Sequence, residues 1–301
     1  MTCADSADIS PDLPTSEQLY QRKVAQIEAE RNKPKKEKLC SSCYKQKAME
    51  GSHYCSDCAV ELSEIINLER KAHMDELVEE YKSKCGLQKR LLMKNFANYE
   101  AVSEKQKDVL AVAKNYTHNF LNYLKDGVGL YLEGSNGTGK THIAAAITNR
   151  LLEQGVRVIC KSANIILTDI RASYTSGMSE KEAITPFIEC KLLIIDDIGK
   201  QQATEWSTTT LFNIINERYE RQNPTIFTSN YNLFTLEKIL KYNGSDGETE
   251  RAIISRIKEM VIPLSMHWSD YRNMMWKGEK HQFRKNQDID KIFNDDLYEV
   301  L

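Results

Sequence analysis

Gly134-Ser-Asn-Gly-Thr-Gly-Lys-Thr141 is the stretch of sequence that decides the fold. The apolar segment Gly129-Leu-Tyr-Leu-Glu precedes it and predicts a strand, and a segment rich in Ala, Ile and Leu follows it and predicts a helix from Thr141 to Gln154. A glycine-rich turn between a strand and a helix is the pattern of a P-loop, whose backbone amides surround phosphate oxygens at a helix N-terminus. The sequence therefore predicts a P-loop fold with a nucleotide-phosphate site.

Each type of residue in this loop has a predicted role in nucleotide binding. The glycines let the backbone close around the phosphates, Lys140 is predicted to place its charge at the β- and γ-phosphates, and the Thr141 hydroxyl to ligate Mg²⁺. All eight residues are predicted to bind the nucleotide: Gly134, Ser135, Asn136, Gly137, Thr138, Gly139, Lys140 and Thr141.

Two adjacent acids end a second apolar segment, Leu192-Leu-Ile-Ile-Asp196-Asp197. Such a continuous apolar run is expected of a buried parallel strand. A P-loop site needs an acid to hold its magnesium, at the carboxyl end of a neighbouring parallel strand. Asp196 is predicted to organise Mg²⁺, and Asp197 to orient the attacking water as general base. The alternative is a strand that simply ends in two acids at a turn.

Strand and helix patterns alternate from about residue 87 onward. Strands are predicted at 157–161, 225–230 and 261–264, and helices from about residue 164 and over 206–221. This alternation predicts an α/β fold in which helices cover both faces of a parallel sheet.

Two polar residues in this region are further candidates for the site. Asn230 ends the strand at 225–230, where its amide would reach the γ-phosphate or the attacking water; a residue that only begins a turn is the alternative. Arg251 and Arg256 lie on a predicted helix, and an Arg presented to a neighbouring subunit would act as an arginine finger. Their spacing alone favours a solvated helix face.

Four of the eight cysteines form the pairs Cys40-Ser-Ser-Cys43 and Cys55-Ser-Asp-Cys58. Each pair can offer two thiolates from one tight turn, and two pairs complete a tetrahedron around Zn²⁺. Because four thiolates leave no open position, the predicted site is structural and supplies folding energy. Free buried thiols and an iron–sulfur cluster are the alternatives, and His53 is expected in the intervening loop.

Composition narrows the class of protein. The formal net charge of −2 excludes a wholly basic protein that coats nucleic acid, so any DNA contact must come from local patches. No window approaches the roughly 20 apolar residues of a membrane span. The N-terminus has neither the basic nor the apolar region of a secretory signal, so a cytoplasmic location, without membrane contact, is expected.

Residues from about Gly86 to Arg272 resemble the bacterial and phage helicase-loader ATPases of the DnaC/DnaI type, a branch of the AAA+ superfamily. The resemblance implies an AAA+ P-loop core after a small helical, zinc-knuckle domain. The predicted segments are 1–39 (disordered start, amphipathic helix at 15–31 and basic linker), 40–85 (zinc knuckle and long helix from Ala59), 86–276 (ATPase) and 277–301 (polar tail). The stretches that carry the resemblance are Asn95-Phe-Ala-Asn-Tyr99, Gly134 to Thr141 with the helix start after it, Leu192 to Gly199, Thr228-Ser-Asn230, Ser255-Arg-Ile257 and Trp268-Ser-Asp-Tyr-Arg272.

The resemblance also implies an activity and its residues. These are slow, switch-like hydrolysis of ATP with Mg²⁺, Asn230 as sensor 1, and Arg256 as a finger that acts on a neighbouring subunit, hence self-association. Some relatives carry Asp-Glu where this chain has Asp196-Asp197, and the shorter Asp197 bears on turnover rate rather than on nucleotide binding.

Two partners are implied as well. The N-terminal zinc region would grip the replicative hexameric helicase, and the helical region from Ile165 to about Phe187 would contact single-stranded DNA, with Arg171, Tyr174 and Lys181 available. An ordinary solvated helix pair is the alternative for the second region. For the whole chain, the alternatives are an IstB-like transposition helper ATPase and a nucleotide-binding adaptor without significant turnover.

Overall fold

The computed structural model describes residues 21–26 and 38–271. Of the predicted helix at 15–31, residues 21–26 are described and are helical; the rest, like Arg272 and the tail at 277–301, lies outside the described residues. The chain divides into two compact units, residues 1–71 and 72–301. Within the described part of the chain, no helix has the length and apolar character that crossing a membrane requires.

The first unit is built from turns and the start of a long helix. An antiparallel bridge pairs Leu39 with Lys47, and inside it the Cys40 N–H donates to the carbonyl of Gln46 at 2.9 Å. Helix α1 (Ser56–Lys84) begins within the second cysteine pair and continues into the second unit. The long helix expected from Ala59 is thus confirmed, and it starts three residues earlier.

Three helices lie between α1 and the first strand along the chain, and none of them was predicted from the sequence. They are α2 (Lys89–Leu92), α3 (Glu104–His118) and α4 (Phe120–Asp126). Helix α3 starts with a capping box, in which the side chains of Ser103 and Gln106 each accept a hydrogen bond from the other residue's backbone N–H.

Five parallel strands form one sheet: β1 (Gly129–Glu133), β2 (Val158–Ser162), β3 (Leu192–Asp196), β4 (Thr225–Ser229) and β5 (Val261–Ser265). Their order in the sheet is β2-β3-β4-β1-β5. The α/β class with a parallel sheet is therefore confirmed. Strand β4 lies between β1 and β3, so the expectation that Asp196 ends a strand next to the P-loop strand was wrong by one position. Order along the chain does not fix order in the sheet.

Helices cover both faces of this sheet, because alternate residues of each strand point to opposite faces and both sets are apolar. Leu130 and Leu132 of β1 pack in one core, and Tyr131 packs in the other. Six helices connect or follow the strands: α5 (Lys140–Glu153), α6 (Ala163–Thr175), α7 (Glu180–Glu189), α8 (Glu205–Glu220), α9 (Leu233–Leu240) and α10 (Glu248–Met260).

Candidate functional site

The phosphate loop, residues 134–139, joins the carboxyl end of β1 to the N-terminus of α5. Gly139 caps this helix at φ +94°, a left-handed conformation that a residue with a Cβ adopts at a cost. The Lys140 ammonium turns back into the loop and donates to the carbonyls of Gly134 and Ser135, both at 2.8 Å. The loop thus holds a buried positive charge within its own turn, beside the N-terminus of a helix.

Asp196 lies beside the first turn of α5, although a strand separates β3 from β1. The Thr141 hydroxyl donates to its carboxylate at 3.0 Å, and the Thr228 hydroxyl of β4 donates to it at 2.5 Å. Burial raises the pKa of Asp196, and the hydrogen bond from Thr228 acts in the opposite direction. A hydroxyl and a carboxylate at this separation are the hard oxygen ligands that Mg²⁺ takes, so the two residues fit the predicted metal.

Asp197 adopts a left-handed backbone conformation, φ +56°, which is uncommon for a residue with a Cβ. Its N–H donates to the Thr228 hydroxyl at 2.9 Å, and its carboxylate pairs with the Lys200 ammonium at 2.9 Å. A hydrogen bond from the Lys200 N–H to the Asp197 carbonyl, 3.1 Å, closes this turn. Neither partner was predicted from the sequence, because a Thr near a strand end and a Lys after a Gly carry no pattern that shows which group they contact.

Asn230, at the end of β4, reaches the phosphate loop. Its side-chain Nδ2 donates to the Asn136 Oδ1 at 2.9 Å. Its own Oδ1 is buried and accepts no hydrogen bond from the described residues. Since buried acceptors are rarely left without a partner, the Asn230 Oδ1 is a candidate to accept a hydrogen bond from a bound group.

A cavity of about 530 Å³ opens beside the phosphate loop, a volume in the usual range for a small-molecule site. Besides Lys140, Thr141 and Asp197, its lining includes residues of the segment before the sheet, which were not predicted to belong to the site. His142 lies within hydrogen-bonding distance of the Asn98 Oδ1, 2.9 Å, and packs edge-on against the Tyr99 ring. Burial lowers the pKa of His142, which favours the neutral imidazole in this wall.

Arg256 lies on α10 and is absent from the described lining of this cavity. Its guanidinium bonds the Asn216 side chain and lies over the rings of Phe212 and Tyr219, at 5.1 and 5.7 Å from their centres. The other candidate, Arg251, pairs loosely with Glu248 at 3.8 Å.

The four clustered cysteines converge in the first unit. The sulfur atoms of Cys40, Cys43, Cys55 and Cys58 all lie within 4.8 Å of one another, and those of Cys43 and Cys55 are 3.8 Å apart. Four thiolates at the zinc–sulfur distance would be about 3.8 Å apart at the corners of a tetrahedron. Backbone N–H groups, that of Cys43 above all, lower the pKa of Cys40 to about 6, whereas a hydrogen bond with Cys55 raises the pKa of Cys58 to about 12. It is therefore the close approach of the four sulfur atoms, rather than the pKa of any one thiol, that matches a metal site. The donor set therefore fits zinc.

The three residues predicted to contact DNA lie in two different places. The Arg171 guanidinium lies 4.4 Å from the centre of the Trp206 ring, and the Tyr174 ring meets the same indole edge-on at 6.4 Å. Lys181 instead lines a separate groove between α7 and α8.

Comparison with known proteins shows which proteins this chain is similar to. Residues 42–274 match the family model described as IstB-like ATP binding protein. The replicative helicase loader DnaC of Escherichia coli strain K12 is 31% identical over 149 residues, 48% of this chain and 59% of that protein. A crystal structure of the DnaC helicase loader is 26% identical with a TM-score of 0.51, over 60% of this chain and 99% of that one.

A crystal structure of DnaI shares the fold, at 21% identity and a TM-score of 0.52, over 63% of this chain and 98% of that one. The chain spans 64% and 59% of the length of the first curated relatives that it matches.

Proposed function

Since the chain belongs to the family of IstB-like ATP binding proteins, we propose that it is an ATP-dependent loader of the replicative hexameric helicase. The observation that carries the proposal is the convergence of Lys140, Thr141, Asp196 and Asp197 at one edge of the parallel sheet. The similarity to DnaC, named as a replicative helicase loader, supports the choice of partner.

In this proposal the chain's own groups prepare a phosphoryl transfer to water. The residues 134–141 hold ATP by its phosphates, and Thr141 and Asp196 hold its Mg²⁺. Bound ATP supplies the phosphoanhydride bond that is broken, which yields ADP and phosphate. Asp197 then takes the proton of the attacking water, and Asn230, as sensor 1, orients that water through its buried Oδ1.

The Lys200 pair bears on the rate of this reaction. Because the Asp197 carboxylate is held 2.9 Å from an ammonium, it must leave or share that partner to reach a water at the phosphate. The pair is about one-third exposed on each side, so breaking it costs little, on the order of 1 kcal/mol. A cost of this size would slow hydrolysis by about 5-fold at most, so the pair favours a slower reaction but does not by itself make the ATPase a switch.

Arg256 would complete the site of a neighbouring subunit. Its position on α10, outside the described lining of its own chain's cavity, supports a role as a finger in trans and hence self-association in the manner of AAA+ proteins.

Helicase binding is proposed for the N-terminal region. Zinc held by Cys40, Cys43, Cys55 and Cys58 would fix the turns of the first unit. On its part of α1, Val60, Ile65, Ile66 and Leu68 are exposed, and apolar side chains on one helix suit docking in a partner's groove. Single-stranded DNA is proposed to contact the α6–α7 region, where Arg171 is exposed and Tyr174 is half-buried.

A measurement of ATP hydrolysis with and without single-stranded DNA tests the enzymatic part. We expect Asp197→Ala to lower the hydrolysis rate by about 100-fold or more, because a positioned general base contributes that much, while ATP affinity changes little. Glu153→Ala is the matched control, since that carboxylate also pairs with a basic side chain, Arg150 at 3.1 Å, but lies outside the described lining of the cavity and outside the α6–α7 region. Equal rates in wild type and Asp197→Ala, with no response to DNA, would leave a nucleotide-binding adaptor without turnover.

Co-purification with a replicative helicase tests the partner. The deletion should end at residue 71, because Tyr81 and Cys85 pack in the core of the second unit. We expect the shortened chain to lose the helicase yet to bind ATP as the full chain does. A helicase that still co-purifies would show that the adaptor lies elsewhere.

The match to IstB-like ATP binding proteins favours one alternative among those implied by the resemblance, a transposition helper ATPase that acts on double-stranded DNA. Stimulation of hydrolysis by double-stranded rather than single-stranded DNA, without helicase binding, would favour it.

A further inference from the structure

The segment that follows β5 lies against the phosphate loop. We name residues 266–271 the C-terminal strap. It leaves the sheet with a hydrogen bond from the Met266 N–H to the Glu133 carbonyl, 2.6 Å. The Trp268 indole N–H then donates to the Thr138 carbonyl at 3.0 Å, and the Tyr271 backbone N–H donates to the Gly137 carbonyl at 3.0 Å. The strap thus bonds two consecutive carbonyls of the loop.

Close packing accompanies these hydrogen bonds. A Cβ on Gly137 would lie 2.0 Å from the Asp270 carboxyl carbon, so the strap rests directly on this glycine. Tyr99 packs on the loop as well: its buried ring would meet a Cβ on Gly139 at 2.8 Å, and its hydroxyl lies 3.5 Å from the Thr138 carbonyl, which also accepts from Trp268. The strap and Tyr99 therefore both pack against the loop.

The geometry of the peptide bond relates the hydrogen bonds of the strap to phosphate binding. In a planar trans peptide the C=O and the following N–H point in opposite directions. Because the strap fixes the carbonyls of Gly137 and Thr138 toward itself, the N–H groups of Thr138 and Gly139 point away from it. Successive N–H groups that point to the same side form the concave site that receives an anion.

We propose that Trp268 and Tyr271 are positioning residues, which hold two amide groups of the phosphate loop ready for the phosphates of a nucleotide. The proposal rests on the proposed binding of ATP at this loop and adds to it the part that organises the loop before the ligand arrives. Preorganised donors gain affinity because the loop is not ordered anew at each binding event.

Nucleotide affinity measured by calorimetry with Mg²⁺ and ADP tests the proposal on the full-length chain. Trp268→Phe removes the indole N–H but keeps an aromatic side chain. We expect it to weaken ADP binding by about 3- to 10-fold, the effect of losing one hydrogen bond, with a much smaller change in the melting temperature of the nucleotide-free protein.

Tyr116→Phe is the matched control. It also removes an aromatic donor to a backbone carbonyl, that of Val128 at 3.0 Å, but next to the opposite end of β1. We expect it to lower the melting temperature and to leave ADP affinity unchanged. Equal ADP affinity in Trp268→Phe and wild type would overturn the proposal, whereas wild type that binds no nucleotide would overturn the proposed function instead.

A second measurement does not depend on that variant's folding. In the double variant Trp206→Phe, Trp276→Phe, Trp268 is the one tryptophan left of the chain's three, and its emission can be excited selectively. We expect its emission to change on ADP titration with the midpoint found by calorimetry, because the indole touches the loop and lines the cavity. An emission unaffected by saturating ADP would contradict the inference.

Discussion

Thr228 connects the two acids that end β3, and it shows how one side chain can set the geometry of a site. Its hydroxyl donates to Asp196 and accepts from the Asp197 N–H, and no part of the residue is exposed. The left-handed turn at Asp197 is therefore fixed to the neighbouring strand. Both acids therefore depend on Thr228, which was not among the residues predicted to bind the nucleotide or the metal.

Thr228→Val tests this dependence with a nearly isosteric change. We expect the free energy of unfolding to fall by about 1–3 kcal/mol, because the Asp197 N–H loses its partner and the Asp196 carboxylate loses one of its two hydroxyl donors, and ATP hydrolysis to fall as well. Urea unfolding and a steady-state ATPase assay measure the two effects.

Thr208→Val is the control, since that buried hydroxyl donates to the Leu240 carbonyl at 3.1 Å, a bond that involves neither acid. It should lose stability and keep its hydrolysis rate per folded molecule. If both variants hydrolyse ATP at the wild-type rate, Thr228 does not position the acids.

At the scale of elements, the end of α7 and the start of β4 are joined by a fully buried arginine, Arg218 of α8. Its guanidinium donates to backbone carbonyls at the C-terminus of α7, where the helix dipole places negative charge. It also donates to the Pro224 carbonyl and the Thr225 hydroxyl at 2.6 and 2.8 Å. The carbonyls at the end of α7 are those of Phe187, Ile188 and Cys190, at 2.8, 2.9 and 3.0 Å.

Arg218→Lys should lower the free energy of unfolding by about 2–4 kcal/mol, although it keeps the charge. A lysine has three donors on one atom and cannot reach five acceptors on two elements, so buried carbonyls are left without a partner. Urea unfolding followed by circular dichroism measures the change. Arg221→Lys, at an exposed pair with Glu217, should change stability by less than about 0.5 kcal/mol, and equal effects of the two variants would refute this account.

At the scale of the molecule, the chain's two compact units rest on different stabilising forces. The second unit buries apolar side chains on both faces of a sheet. In the described part of the first unit, by contrast, only the cysteines Cys40 and Cys55 are fully buried apolar residues. A metal is the stabiliser that such a small unit needs.

We therefore expect about one zinc per chain by elemental analysis, lost in Cys43→Ser but kept in Cys160→Ala, whose buried thiol lies on β2. Chelation should reduce helical circular dichroism without changing ADP affinity, because the phosphate loop belongs to the other unit. Visible absorption and bound iron in the purified protein would instead indicate an iron–sulfur cluster.

The sequence by itself determined those features whose chemistry lies in contiguous residues. The phosphate loop, the acid pair at 196–197 and the two cysteine pairs each carry their meaning within a few positions. The strands of the sheet were likewise predicted from the sequence, because a strand that is buried on both faces is rich in consecutive apolar residues. Local patterns of this kind keep their meaning wherever the fold puts them.

Only the tertiary structure decided which residues support that chemistry from a distance. Thr228 meets Asp196 across 32 positions, and Trp268 meets Thr138 across 130. It also decided that β4 lies between β1 and β3. The physical reason is that a hydroxyl or an indole N–H can bond any acceptor the fold brings near, so its sequence neighbours do not say which one it finds.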